Sequence, residues 1–286
     1  MPRIYTWRFE VRSYELDTSG WVRPSTYLNY LEEVAWNASA AAGYTPAWYN
    51  AHNRIWVLRT MNVRYFTPVT MGEQLELSTW VSDFRRVQSH REYDLRRVRD
   101  GQRVLRARGN WAFLDAQTLQ PQRLPDQVIL DFAPDNIQED LDSRVIDPVT
   151  VEQPVVHTSQ RRVERRDLDS LGHVNNGTYL AWADQALADA LRAAGWPPQR
   201  LASSDFSIIP IADEIEYVQS AHDDDPICVT TRLAQVGRDR AAWLHEITHG
   251  ATGELMTRVL SVRAFRDANG SRSIPDALHL SLVARA

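Results

Sequence analysis

One segment of this chain occurs twice, and this repetition restricts the possible folds more than any other feature. Residues 169–174 (Asp-Ser-Leu-Gly-His-Val) have a partial copy at 17–22 (Asp-Thr-Ser-Gly-Trp-Val), 152 positions earlier. A register held over a long span indicates two copies of one structural unit, so differences between the copies should show where chemistry is done. The same offset pairs further identical residues: Tyr27 with Tyr179, Leu28 with Leu180, Gly43 with Gly195, Pro46 with Pro198, Tyr65 with Tyr217, Gly101 with Gly253, and Arg106 with Arg258.

Both copies have the same order of predicted elements. A short strand (7–14 and 157–165) leads into the Asp-containing loop, and a helix comes next (24–42 and 177–194). In the first helix, apolar residues recur at helical spacing and form one stripe. The remainder of each copy alternates in the manner of antiparallel strands. These predicted strands are 74–81, 90–97, 104–114, 227–233, 242–248 and 255–265.

A long helix followed by several antiparallel strands predicts a sheet wrapped around a central helix, the hotdog arrangement. Gly43 and Gly195 are suited to ending the two helices, and Gly101 and Gly253 lie in predicted hairpin turns. The predicted class is α+β, a tandem (double) hotdog. Its two helix-wrapped antiparallel sheets are expected to form an internal pseudo-dimer in which sheet edges pair instead of being exposed.

The repeat also predicts the domain organisation. We expect an N-terminal hotdog at 1–120, a C-terminal hotdog at 155–270 and a tail at 271–286. The span 121–154 contains prolines and shows no strong period, which is typical of a linker on the surface. Its acidic residues include Asp135, Glu139, Asp140 and Asp142.

Composition narrows the class of protein. No apolar run approaches the roughly 20 residues that a membrane-spanning helix needs, and the first residues lack the apolar stretch of a signal peptide. The single cysteine, Cys228, excludes an internal disulfide and a cysteine-built zinc site. The net charge of −5 argues against general nucleic-acid binding. We therefore expect a cytoplasmic protein with no metal and no cofactor, which does not bind a membrane.

Asp169 is the strongest catalytic candidate, although an Asp before a helix is also a common turn or N-cap residue. Gly172 permits close backbone approach, and His173, Asn175 and Asn176 bring polar groups to the start of the helix. A helix N-terminus offers unpaired N–H groups to a developing oxyanion. A carboxylate beside it is able to activate water or to attack a carbonyl. For Asp17 the structural role in a turn is favoured.

The residues around these positions resemble the acyl-acyl carrier protein (acyl-ACP) thioesterases, and more loosely the 4-hydroxybenzoyl-CoA thioesterase branch of the hotdog superfamily. The resemblance spans about 11–267, nearly the whole chain. In the second copy it includes Glu216-Tyr217 and the Asp-x-x-Gly-His-Val-Asn-Asn string, with Tyr179 beyond. In the first copy it is carried by Arg12-Ser13-Tyr14-Glu15, Asn29-Tyr30-Leu31-Glu32-Glu33, Trp56-Val57-Leu58, Thr79-Trp80 and Trp111-Ala112-Phe113-Leu114-Asp115.

The resemblance implies a thioesterase of fatty acid biosynthesis that releases free fatty acid from acyl-ACP. It further implies that the second copy is catalytic and the first binds the acyl chain, so that Asp169 and His173 fall on catalytic positions. Two departures matter. The family's Asn between that Asp and His is Leu171 here, and its acidic-Cys pair falls on Ser220-Ala221. A cysteine nucleophile is therefore not supported, and Cys228 lies off the expected position.

The expected mechanism uses Asp169 as general base or nucleophile, with backbone N–H groups near Asn175-Asn176 holding the oxyanion. His173 either orients the site or protonates the leaving thiol; packing at the helix start is the alternative. In the looser branch, the oxyanion donor lies seven residues after the Asp. That position is Asn176 in the second copy but Pro24 in the first, and proline has no N–H.

The first copy is therefore expected to form the acyl-binding wall. Asp17, Trp21 and Trp56 of this copy, together with Tyr179, are the predicted substrate-binding residues. Tryptophans are concentrated in the first half, where large rings would limit acyl chain length. Ordinary core and surface aromatics are the competing interpretation.

Weaker candidates and alternative functions remain open. His245 and His249 have the spacing of metal ligands, but packing within the sheet is favoured.

Acyl-CoA is the second candidate substrate, and a non-catalytic acyl-thioester-binding protein is the alternative from another functional class. A homodimer of pseudo-dimers is also open. Several arginines are candidates to bind coenzyme A phosphates or an acidic carrier protein, although a solvated strand face is the default interpretation for most of them. They are Arg85, Arg86, Arg91, Arg96, Arg97, Arg99, Arg161, Arg162, Arg165 and Arg166.

Overall fold

The computed structural model describes residues 3–134, 138–141 and 148–283. The chain divides into two compact units, Met1–Leu141 and Asp142–Ala286. Asp135 and Asp142 of the predicted linker lie outside the described residues.

The first unit combines one long helix with a five-stranded antiparallel sheet, in which the strand order is β1-β3-β4-β5-β2. A 3-10 turn at Ser13–Glu15 precedes the long helix. The elements are β1 (Tyr5–Glu10), α1 (Pro24–Ala41), α2 (Pro46–His52), β2 (Arg54–Tyr65), β3 (Gln74–Arg85), β4 (Gln88–Arg97), β5 (Arg103–Asp115) and α3 (Asp126–Phe132).

The second unit repeats this arrangement. Its main strands have the equivalent order β7-β9-β10-β11-β8, and two short strands, β6 and β12, pair with β9 and β11. A 3-10 turn at Arg165–Asp167 again precedes the long helix. The elements are β6 (Val149–Thr150), β7 (His157–Arg162), α4 (Asn176–Ala193), α5 (Pro198–Ala202), β8 (Ser207–Tyr217), β9 (Pro226–Val236), β10 (Arg240–His249), β11 (Leu255–Asp267), β12 (Gly270–Arg272) and α6 (Asp276–Ser281).

Each long helix packs on its own sheet through one apolar face. In α1, Leu31 and Val34 are fully buried, as are Leu180 and Ala183 in α4. Burying a Leu or Val side chain contributes roughly 1.5–3 kcal/mol. Gly43 and Gly195 come after the two helices with φ of 96° and 85°, a left-handed conformation that favours glycine. The predicted α+β hotdog unit is thus present in both copies.

The six predicted strands of the two sheets lie within the observed strands β3, β4, β5, β9, β10 and β11, but the boundaries and the short elements differ. Strand β1 ends at Glu10, because the chain turns into the 3-10 segment before the loop. The span predicted as linker contains α3, and the predicted tail contains α6. Phe132 of α3 and Leu278 of α6 belong to the hydrophobic clusters of their own units. Both short helices therefore complete a core.

Among the described residues, no helix combines the length and the apolar character needed to cross a membrane.

Candidate functional site

Asp169 closes a tight turn before helix α4. Its backbone N–H donates to the carbonyl of His173 at 2.8 Å, and its own carbonyl accepts from Gly172 N–H at 3.1 Å. Its carboxylate Oδ1 accepts the N–H groups of Leu171 at 2.8 Å and His173 at 3.3 Å. The side chain is half-buried, and Oδ2 accepts no hydrogen bond from any described residue. One carboxylate oxygen is thus fixed by the backbone while the other is available for chemistry.

Asp17 makes the same turn in the first unit. Its Oδ1 accepts from Ser19 N–H at 2.8 Å and Trp21 N–H at 3.2 Å, and its backbone N–H donates to the Trp21 carbonyl at 2.7 Å. Unlike Asp169, it is exposed. The hydrogen bonds of the loop therefore do not distinguish the two copies, whereas the first residue of the next helix does.

The start of helix α4 presents an available backbone donor. Asn175 caps the helix, because its side-chain oxygen accepts from Gly177 N–H at 2.8 Å. The backbone N–H of Asn175 donates to the Asp167 carbonyl at 2.8 Å and is therefore already engaged. Asn176 is the first helical residue, and its N–H has no acceptor among the described residues. This N–H lies at the positive end of the helix dipole.

The first unit lacks this donor. Helix α1 begins with Pro24, which carries no N–H, and Arg23 before it provides no side-chain cap. The sequence predicts a backbone N–H donor at position 176 and none at position 24, and the starts of the two helices are consistent with this difference.

His173 belongs to a small group of histidines that the sequence did not bring together. Its ring packs edge-on against His222, with centroids 5.1 Å apart. The carboxylate of Asp225 accepts from His222 N–H at 2.8 Å and lies 3.8 Å from His249 Nε2. Nδ1 of His249 accepts two loop N–H groups, so its proton is on Nε2 and faces Asp225. Among the described residues no cluster is able to hold a metal ion.

The His249–Asp225 contact has a counterpart that the 152-residue offset identifies. The equivalent pair in the first unit is Arg97–Glu73, with nitrogen and oxygen 3.2 Å apart. A side-chain nitrogen and a carboxylate thus face each other in the same loop of both copies. The 152-residue offset could have identified Asp225 from the sequence, because it pairs Asp225 with the acidic residue Glu73. It could not have identified His222, whose equivalent is Thr70.

Tyr179 helps to hold the segment that follows the Asp169 turn. Its buried hydroxyl accepts from Ala221 N–H at 2.8 Å, and the Ala221 carbonyl accepts from Val174 N–H at 2.9 Å. Burial raises the pKa of Tyr179 to about 12. The predicted substrate contact of Tyr179 stays a prediction, because this hydroxyl is committed to positioning the segment that comes after His173.

The first unit contains a cavity lined by aromatic rings. Its empty volume is about 520 Å³, a figure that includes the part open to solvent. Of the predicted substrate-binding residues of this unit, Trp56 lines the cavity, whereas Asp17 and Trp21 are not among its lining residues. Substrate binding by Trp56 stays a prediction. Trp21 is instead 36% exposed on the loop. The other large rings that line the cavity are Trp36, Tyr49, Phe84, Trp111 and Phe132.

His245 packs inside the sheet of the second unit, as the favoured interpretation expected. It is fully buried in β10, and its Nδ1 lies 2.9 Å from the hydroxyl of Thr231. Burial, with a smaller contribution from the positive charge of Arg263, lowers the pKa of His245 to about 3. Its Nε2 has no partner among the described residues.

This burial predicts a loss of stability in acid. Since the folded-state pKa lies below the unfolded value of about 6.5, the unfolded chain binds more protons as the pH falls from about 6.5 toward 3. The free energy of unfolding should therefore decrease by up to about 1.4 kcal/mol per pH unit from this residue. Urea unfolding at several pH values measures that slope. In His245→Tyr, which installs the residue found at the equivalent position 93, the slope should be smaller; an unchanged slope would show that His245 is not its source.

Cys228 lies within strand β9, between Gln160 of β7 and Thr248 of β10. The position equivalent to the family's acidic-Cys pair is held by Ser220 and Ala221. The prediction of a reaction without a cysteine nucleophile is unchanged by this placement.

Comparisons with known proteins agree with the two-unit organisation. Residues 2–132 match the model of the acyl-ACP thioesterase N-terminal domain, and residues 163–280 match the thioesterase-like superfamily. Oleoyl-acyl carrier protein thioesterase 1 of Arabidopsis thaliana is 24% identical over 248 residues, which are 82% of this chain and 65% of that protein. Palmitoyl-acyl carrier protein thioesterase of the same plant is 27% identical over 190 residues, 63% of this chain and 46% of that protein. The chain thus spans about half to two thirds of these relatives.

Solved structures show the same fold over nearly the whole chain. A putative oleoyl thioesterase from Lactobacillus plantarum has a TM-score of 0.76 at 16% identity, covering 96% of this chain and 98% of that one. The 12:0-ACP thioesterase from Umbellularia californica has a TM-score of 0.71 at 18% identity, covering 92% and 94%. At such low identity the likeness concerns the fold alone.

Proposed function

Because this chain belongs to the acyl-ACP thioesterase family of hotdog-fold proteins, we propose that it hydrolyses fatty acyl thioesters to free fatty acid and thiol, with acyl-ACP as the preferred substrate. The observation that carries this proposal concerns the second unit: within the described part of the chain, Asp169 Oδ2 accepts no hydrogen bond and the Asn176 N–H has no acceptor, whereas the equivalent helix of the first unit begins with a proline. A base or nucleophile and an oxyanion donor are the two groups that thioester cleavage requires.

In the general-base route, Asp169 Oδ2 takes a proton from water as the water oxygen attacks the thioester carbonyl. The carbonyl oxygen becomes an oxyanion, which the N–H of Asn176 holds. Collapse of this intermediate breaks the C–S bond, and the leaving thiolate takes up a proton from Asp169 or from His173. The bonds of Leu171 and His173 to Oδ1 keep the carboxylate oriented throughout.

In the nucleophilic route, Oδ2 attacks the carbonyl directly and displaces the thiolate. The resulting anhydride is then hydrolysed by water, which restores the carboxylate. Mass spectrometry of acid-quenched protein separates the two routes, because only the nucleophilic route places the mass of the acyl group on the peptide that contains Asp169.

Two exposed arginines support a carrier protein as the thiol partner. Arg165 and Arg166 lie in the 3-10 turn directly before Asp169, and their side chains are 93% and 79% exposed. The equivalent residues of the first unit are Ser13 and Tyr14. Arg165 lies 4.0 Å from Asp223 and Arg166 lies 2.9 Å from Glu164, and the exposure of both guanidinium groups leaves them accessible to carboxylates of an acidic carrier surface.

The test compares thiol release from acyl-ACP, acyl-CoA and acyl-N-acetylcysteamine of the same chain length. We expect the highest kcat/KM for acyl-ACP. The double variant Arg165→Ser/Arg166→Tyr carries the first-unit residues in the same turn and should raise KM for acyl-ACP about 10-fold, with a smaller effect on acyl-N-acetylcysteamine. Equal kcat/KM for all three thiols would contradict carrier recognition. Absence of hydrolysis of every thioester would contradict the proposed function itself.

A non-catalytic acyl-binding protein remains the second candidate, because one observation favours it. The turns at Asp17 and Asp169 have the same hydrogen bonds, although the unit that contains Asp17 lacks an oxyanion donor. The turn therefore has a structural role of its own. Tight binding of acyl thioesters without turnover would identify this alternative.

A further inference from the structure

Arg91 is enclosed in the cavity of the first unit without an acidic partner among the described residues. It is only 7% exposed and lines the cavity together with the aromatic rings. Its side chain makes one long hydrogen bond within the described part of the chain, 3.5 Å from Nη1 to the hydroxyl of Thr79, and its guanidinium carbon lies 5.4 Å from the ring centre of Phe132. Burial lowers the pKa of Arg91, yet arginine is not deprotonated in proteins. The cavity therefore contains a charge that the described residues do not neutralise.

The other buried arginines of the described residues all have carboxylate partners. Arg97 pairs with Glu73 and Asp100, at 3.2 and 2.8 Å. Arg106 reaches Glu139 at 2.6 Å, in addition to Glu92. Arg263 pairs with Asp213 at 3.0 Å and with Asp184 at 2.9 Å. Because an unpaired buried charge is costly, Arg91 is the exception that needs a partner from outside the described residues, and a bound ligand is able to supply it.

In the second unit, the positions equivalent to the polar lining residues of this cavity are occupied by apolar residues. The equivalents of Ser39, Ser89 and Arg91 are Leu191, Ala241 and Trp243. All three equivalents are buried members of the hydrophobic cluster of the second unit. The fold thus accepts an apolar filling here, and the polar residues are a property of the first copy alone.

We propose that the cavity of the first unit binds acyl chains that carry a carboxylate in addition to the thioester, and that Arg91 is the residue that pairs with it. The inference rests on the proposed function, since it names the class of acyl group. The aromatic rings contact the methylene chain, while Arg91, with the hydroxyls of Ser39 and Ser89 beside it in the lining, binds the anionic end. A carboxylate is the group whose geometry matches the guanidinium fork.

Matched acyl-ACP pairs test this directly. Each pair has one chain length, between about 8 and 16 carbons, and ends either in a methyl group or in a carboxylate. At the best length, kcat/KM should be about 10- to 100-fold higher for the carboxylate-terminated chain, the size of a charge-assisted hydrogen bond. In Arg91→Met this ratio should fall toward one, and Arg91→Lys should restore part of it. Arg85→Met, which removes an exposed arginine from the neighbouring strand, should keep the wild-type ratio.

A binding measurement keeps the inference independent of turnover. Quenching of tryptophan fluorescence reports binding, because Trp36, Trp56 and Trp111 line the cavity. The ligands are the methyl ester of a fatty acid and the monomethyl ester of the dicarboxylic acid of equal length, so that only the second bears a charge. Tighter binding of the charged ester, lost in Arg91→Met, would support the inference even if no thioester were hydrolysed. Preference for methyl-terminated chains at every length, or a carboxylate preference that survives Arg91→Met, would overturn it.

Discussion

Replacing Asp169 with asparagine is expected to lower kcat about 10²- to 10⁴-fold, the range associated with loss of a general base. The amide oxygen of asparagine is able to accept the same N–H groups of Leu171 and His173 that Oδ1 accepts, so the turn should persist. The substitution therefore removes the charge and the basicity of Oδ2 while it retains the loop. Thiol release from the best acyl thioester measures kcat, and fluorescence titration measures acyl binding, which should remain within a few-fold of wild type.

Asp17→Asn is the matched control. It makes the same chemical change in a turn with the same hydrogen bonds, in the unit whose helix begins with proline. We expect this variant to keep a substantial fraction of wild-type turnover. Equal loss in both variants would contradict the division of labour between the units, and it would favour a purely structural role for the Asp turn.

The repeat made most of the fold predictable from the sequence. Helices α1 and α4 and the main hairpins arise from apolar periodicity and from glycines such as Gly101 and Gly253, which adopt positive φ in the turns. The short helices α3 and α6 were not predictable, because seven and six residues are too few to display a helical period. Their burial comes from tertiary packing.

Strand alternation also indicates which polar residues point into the core. In β4, Arg91 lies two residues before Tyr93 and four before Leu95, so all three share the buried face. In β10, His245 lies between Trp243 and Ile247 in the same way. Arg91 and Arg97 are exceptions to the solvated strand face expected for most of the arginines, because both are buried. A polar residue that has a large apolar residue two positions away in the same strand is therefore a candidate for the buried face.

The residues of the candidate site could be predicted from the sequence, but their hydrogen bonds could not. The motif identified Asp169 and Asn176, whereas the commitment of Asp169 Oδ1 to the backbone, and of the Asn175 N–H to Asp167, depends on turn geometry that no motif encodes. His222 approaches His173 from a loop about 50 residues further along the chain. Such contacts arise from the fold and not from local spacing.

Asn176→Pro is the sharpest test of the proposed oxyanion donor. It removes one backbone N–H and installs the residue that begins the equivalent helix in the first unit. Proline is favoured at the first helical position, and Asn175 already has φ of −57° and ψ of 140°, a conformation that suits the residue before a proline. Helix α4 should therefore form normally. We expect kcat to fall about 10²- to 10³-fold, as when one oxyanion donor is removed elsewhere.

The companion variant Asn176→Ala separates the backbone from the side chain. It keeps the N–H and deletes the amide, so its kcat should fall far less than that of the proline variant. Circular dichroism and thermal unfolding establish that both variants retain the fold. A proline variant with kcat within about threefold of the alanine variant would show that the Asn176 N–H does not hold the oxyanion. In that case the positive end of helix α4 would act on the reaction, if at all, through its dipole alone.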